Sequence, residues 1–155
     1  MMYASYKMIV LFSLFMMIFA TLFCQSAEMT PEDSLQAEIR YTAQRILDNL
    51  LEKDHIVVDF INWEVFAFNG RDYSEDYWDA WDYAEEESFF VDLIELMNQK
   101  LHYPNDAEDS FTNWKLVKNS YITDVTCNNR KRHVKMSMRV DGIGPYMISL
   151  EVKEK

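Results

Sequence analysis

The stretch W-E-V-F-A-F-N-G-R-D-Y-S, from Trp63 to Ser74, decides how this chain folds. Val65, Ala67 and Asn69 alternate with Glu64, Phe66 and Phe68, and aromatic and β-branched residues dominate the run. That composition suits a strand pressed between packed layers. Asn69-Gly70 joins the two residue types that most readily take positive φ, so the strand doubles back there as a hairpin. Ser74 stands where it can cap a new helix.

Before the hairpin the chain reads as helix. Thr30 can cap, Pro31 suits the first helical position, and Glu32 and Asp33 suit the positive end of the dipole. Leu35, Ile39, Ala43, Ile46, Leu47, Leu50 and Leu51 recur at three- and four-residue steps, which predicts a helix from about Pro31 to Lys53. Asp54 can cap a shorter helix, His55 to about Ile61, which Asn62 ends in a left-handed conformation.

After the hairpin comes an acidic helix. Asp72, Glu75, Asp76, Asp79, Asp82 and Glu86 fall on a wet face, and Tyr73, Tyr77, Trp81 and Ala84 on a packed one. Glu85-Glu86-Glu87 marks a break or kink before Phe89, Phe90, Leu93, Ile94, Met97 and Leu101 resume the pattern. His102 to Ser110 is a polar loop. Three strands follow. The first runs from about Thr112 to Cys127, with a bulge near Asn119-Ser120. The second sets Val134, Met136, Met138 and Val140 against Lys135, Ser137 and Arg139. The third sets Tyr146, Ile148, Leu150 and Val152 against Met147, Ser149, Glu151 and Lys153. Such alternation is what an antiparallel sheet with one covered face requires. Arg130-Lys131-Arg132 reads as solvated edge charge.

The class is α+β, one domain over residues 30–155. The order of elements resembles the nuclear-transport-factor-2-like superfamily, also called SnoaL-like or ketosteroid-isomerase-like, and its short secreted members. The likeness spans about Leu35 to Lys153. It is carried by T-A-Q-R-I-L-D-N-L-L-E-K-D at Thr42–Asp54, V-D-F-I-N-W-E-V-F-A-F-N-G-R-D-Y-S at Val58–Ser74 and F-T-N-W-K-L-V-K at Phe111–Lys118. The resemblance implies a curved antiparallel sheet wrapped around N-terminal helices, a cone-shaped, cystatin-like α+β roll with a pocket at one end. The family's isomerases use a tyrosine late in the first helix, an aspartate base at the first strand and a further acid. Here the tyrosine position falls on about Ile46 and the base position near Phe68 or Asn69. Neither can move a proton beside a carbonyl.

Residues 1–26 read as a secretory signal peptide. Lys7 precedes the apolar run Met8–Cys24, and Cys24 and Ser26 stand at the −3 and −1 positions of a cut. An uncleaved membrane anchor is the alternative, and a lipidated Cys24 is disfavoured by the bulk of Phe23. After cleavage Cys127 stands alone and cannot form an internal disulfide. It reads as a buried small hydrophobe, with an intermolecular disulfide as the alternative. A formal net charge of −11 over 155 residues repels phosphate backbones and argues against nucleic acid as a partner.

No reaction is legible. His55, His102 and His133 lack metal-ligand spacing, Asp72–Glu87 lacks the oxygen-ligand pattern of a calcium loop, and no phosphate-binding glycine loop is present. No cofactor is expected. The expected role is a secreted, non-catalytic domain that binds a small apolar ligand or a protein partner, with no membrane contact once the leader is gone. Met136, Met138, Tyr146, Trp114 and Phe66 are the expected pocket residues, methionine being adaptable to apolar ligands. A homodimer through the outer sheet face is a further expected partner. The competing reading is an enzyme of the same fold, isomerase- or dehydratase-like, with an acid–base pair drawn from Asp59, Asp124 and Tyr121.

Overall fold

A computed structural model describes residues 30–102 and 111–155. The leader and the whole stretch between His102 and Phe111 lie outside the described residues. The chain divides into two units, Met1–Ser34 and Leu35–Lys155, and among the described residues the second holds the sheet and every helix except the first turn of α1.

Helix α1 spans Pro31–Glu52. At its start Thr30 Oγ1 accepts from the Asp33 N–H at 3.1 Å, while the Asp33 carboxylate accepts from the Thr30 N–H at 3.2 Å. This reciprocal pair satisfies two orphan donors. At its end Lys53 takes φ 55°, and the N–H groups of Lys53 and Asp54 donate to the carbonyls of Leu50 and Asn49. That is a Schellman stop built without glycine. A 3-10 helix, His55–Phe60, follows, with Asp54 accepting from the Ile56 N–H at 3.0 Å. It ends at Ile61 in extended backbone, so Asn62 is not the left-handed stop expected of it.

The hairpin is shorter than its composition suggested. Only Ala67–Phe68 (β1) and Arg71–Asp72 (β2) pair, across Asn69 at φ 49° and Gly70 at φ 83°. Both turn residues carry positive φ, as a two-residue type I′ connection needs. Ser74 does not cap the next helix. It donates its N–H and its hydroxyl to Asp72, and these bonds hold the Asp72 carboxyl below the usual carboxylate range.

Helix α2 covers Ser74–Asp82 and α3 covers Glu86–Leu101, so the acidic stretch breaks where the three glutamates begin. The stop is Ala84 at φ 56°, again in Schellman geometry, with Ala84 and Glu85 donating to Trp81 and Ala80. Tyr73 and Ala80 are the buried residues of this segment. Trp81 and Ala84 are exposed, because α2 is too short to keep its last turn under a neighbouring layer.

Four long strands complete the sheet, not three: β3 Thr112–Asn119, β4 Ile122–Asn128, β5 Arg132–Val140 and β6 Pro145–Glu154. The slip in alternation at Asn119-Ser120 is a turn, with Asn119 paired to Ile122 and Ser120 at φ 52°. The bulge in β3 lies between Thr112 and Lys115 instead. Sheet order is β2-β1-β6-β5-β4-β3. The sheet is mixed, since β1 runs parallel to β6.

The inward face of β4 and β5 follows the alternation, with Val125, Cys127, Val134, Met136 and Met138 buried. In β6 the expected faces change over. Ser137 pairs with Ser149 but Met138 pairs with Met147, so Ile148 is an extra residue. On its far side Leu150 points in as expected; on its near side Met147, not Tyr146, is buried. Ser137 is not exposed either: at 9% exposure it donates its hydroxyl to Asp124 at 2.7 Å, and Lys135 pairs with the same carboxylate. Arg132, expected at a solvated edge, is buried; its Nε donates to the Lys100 carbonyl at 2.9 Å and its guanidinium pairs with Glu154.

These assignments are checked by denaturant melts. Met138→Ala removes buried volume beside Thr123 and Met147 and is expected to cost about 2–5 kcal/mol. Arg139→Ala, exposed on the next position, should stay within about 0.5 kcal/mol. Comparable losses from both would refute the assigned faces of β5, and a greater loss from Arg139→Ala would reverse them.

Ala84→Gly should raise stability by about 0.5–1 kcal/mol, since the left-handed conformation penalises a Cβ. A loss of stability on that exchange would show that Ala84 is not strained there.

Candidate functional site

The aromatic residues on either side of the hairpin meet around Trp63. Its indole stacks on Tyr77 with centroids 5.6 Å apart and 19° between planes, and lies 4.9 Å from Phe90 and 5.7 Å from Phe89. Phe66 meets it edge-on at 5.6 Å. Trp63 Nε1 donates to the Val58 carbonyl at 3.1 Å, which fixes the ring. The segment around it is tied to β6 through the Asn62 N–H, which donates to the Met147 carbonyl at 3.0 Å, and through the parallel bridge from Ile61 to Met147.

An open depression of about 370 Å³ borders this cluster. One wall is Asn62, Trp63 and Glu64; another is Tyr77 and Trp78 of α2; the third is Tyr146 of β6 with Asp141 and Ile143 of the β5–β6 turn. The turn is braced by two hydrogen bonds: Asp141 Oδ1 accepts from the Ile143 N–H at 2.8 Å, and the Asp141 N–H donates to the Gly144 carbonyl. It holds Ile143 at the rim, 86% exposed. Trp78 is 46% exposed. Large apolar side chains held open to solvent beside polar groups are what a ligand or partner surface requires. The lining contains two carboxylates, Glu64 and Asp141, and no lysine or arginine.

The five expected pocket residues separate. Tyr146 lies on the wall of the depression. Phe66, Met136 and Met138 have no exposed surface and are part of the apolar core with Ile46, Leu47 and Met97. Trp114 is half-buried at the margin of that core, its indole donating to the Phe111 carbonyl at 3.2 Å. The methionines therefore act as packing between sheet and helices. Trp63, Tyr77, Trp78 and Ile143 were missed. The signals were present: five Trp and Tyr between Trp63 and Trp81, and an isoleucine inside a D-G-I-G-P turn where packing does not call for one.

The positions to which the resemblance would assign catalysis hold residues with packing or backbone-bonding roles. Ile46 is buried in the core, Phe68 is buried, and Asn69 bonds to β6. The alternative acid–base candidates lie on three different elements. Asp59 is exposed on the 3-10 helix, Tyr121 is 89% exposed in the β3–β4 turn, and Asp124 is engaged by Ser137 and Lys135 on the sheet face opposite the core. Among the described residues no group of three His, Cys, Asp or Glu is arranged to hold a metal ion. No helix among them is long and apolar enough to cross a membrane. Comparison with protein-family models, curated proteins and solved structures gives no match.

Cys127 is buried between Val125 and the β5 residue Val134, and burial pushes its thiol up to about 12. Thiolate, the reactive form, is therefore scarce near neutral pH. The native protein should leave the Cys127 peptide unmodified by iodoacetamide at neutral pH, and label it once unfolded in denaturant. Rapid labelling of that peptide in the folded protein would overturn the burial argument.

Proposed function

We propose that this chain is a secreted, non-catalytic binding domain, built as a cone of the nuclear-transport-factor-2-like kind. The element order supports the family reading: long helix, short helix, hairpin, helices, then antiparallel strands. The observation that carries the binding reading is the aromatic-walled depression at Trp63, Tyr77, Trp78 and Tyr146. The proposed site thus lies at this depression, whose lining does not include the buried methionines of β5. The lack of catalysis is supported by the structural roles of Ile46, Phe68 and Asn69, and by the dispersal of Asp59, Asp124 and Tyr121.

The apolar run Met8–Cys24 and the small residues after it support export. Expression of the full chain and separation of medium from membranes tests this: the mature protein should be in the medium, starting near Ala27. An intact leader retained in membranes would refute secretion. Native mass spectrometry of the recovered protein tests binding, with a mass above that of the polypeptide expected for a fraction of the molecules, and lost in Trp78→Ala. A bare polypeptide mass, with no retained partner on gentle purification, would count against a binding role.

A further inference from the structure

The geometry points to an organic cation, a quaternary ammonium or methylated amine, as the ligand of this depression; the inference rests on the binding reading above and adds its chemical class. The walls supply two things such a cation uses. Trp63, Tyr77, Trp78 and Tyr146 come from three separate segments and converge on one concavity of about 370 Å³, room for a headgroup of that size. Aromatic faces carry negative charge density, and indole rings attract cations most strongly; Trp63 and Tyr77 stack on each other, so the half-exposed Trp78 is the indole of this wall most open to a cation. Glu64, beside Trp63, and Asp141, in the β5–β6 turn, add formal negative charge to the lining.

The arrangement is poorly suited to an anion. No basic side chain lines the depression. The nearest base by strand register is Arg139, which faces Tyr146 across the β5–β6 pair but is exposed outside the lining. A purely apolar ligand would gain nothing from the two carboxylates, and their desolvation would oppose it. A trimethylammonium group differs: its charge is spread over methyl groups, so it sheds water readily and matches aromatic walls. The protein's charge of −11 raises the local concentration of any cation around it.

The experiment uses the mature full-length domain, with choline chloride and the neutral tert-butyl analogue of choline as probes, monitored by tryptophan fluorescence and by NMR shifts. Choline should bind saturably, at least about fivefold more tightly than the neutral analogue, the factor that a cation–π contact of ordinary strength provides. Trp78→Leu should weaken choline by a similar factor, and Glu64→Gln, on an exposed side chain, should weaken choline without altering binding of the neutral analogue. Added salt should weaken choline selectively. Arg139→Ala should leave choline binding unchanged or slightly stronger.

Equal binding of both probes, with Trp78→Leu weakening both, would overturn the cation assignment while leaving an apolar binding site. Failure of choline to bind at millimolar concentration would also overturn it, and the native mass measurement would then judge the binding reading by itself. Insensitivity of choline affinity to both Trp78→Leu and Glu64→Gln would show that any binding occurs elsewhere.

Discussion

Asn69 joins the hairpin to the sheet, and the site depends on that join. The residue sits at φ 49° in the turn, its N–H donates to the Leu150 carbonyl at 2.8 Å, and its side-chain oxygen accepts from the Val152 N–H at 2.8 Å. Together they extend the parallel pairing of Ala67 and Phe68 with Ser149 and Leu150 by one further step. A two-residue strand would be marginal by itself. Anchored on β6, it fixes where Trp63 enters and where α2 leaves, which brings Tyr77 onto the indole. Asparagine suits the place because it tolerates a left-handed backbone and carries a carbonyl that acts as a backbone acceptor.

The helices are tied by a comparable device. Asn98 of α3 is buried and donates its amide to the carbonyls of Leu50 at 2.8 Å and Leu51 at 3.0 Å, at the end of α1. The Leu51 carbonyl at the helix end gains a partner in this way, and the Leu50 carbonyl, which also accepts from the Lys53 N–H, gains a second. At the other end of α3, Phe89 and Phe90 pack on Trp63 and Tyr77. Core packing and the aromatic wall are thus coupled through one helix. The extra residue Ile148 completes the arrangement: it turns Met147 into the core and leaves Tyr146 to the depression.

Much of the chain was legible one segment at a time. The bounds of α1, the Asp54 cap, the Asn69-Gly70 turn and the break before α3 each depend on residues within a few positions of one another. The expected end of the 3-10 helix at Asn62 and the expected cap at Ser74 failed for a common reason. Several residues could have done each job, and the choice lay with neighbours: Ile61 is held by Met147, and Asp72 reaches the helix start before Ser74 can. With only three glycines in the chain, the left-handed stops fell to Lys53 and Ala84, which no local preference singles out.

By itself, the sequence determined which segments are helical and which are extended, and the apolar faces of α1, α3 and β5. These depend on periodicity and residue chemistry, which act locally. The tertiary structure alone decided the face of β6, the burial of Ser137 and Arg132, the withdrawal of Met136 and Met138 into the core, and the meeting of Trp63, Tyr77, Trp78 and Tyr146. The physical reason is register. One extra residue in one strand exchanges the faces beyond it, and the favourable position for that residue depends on pairing partners far away in the chain.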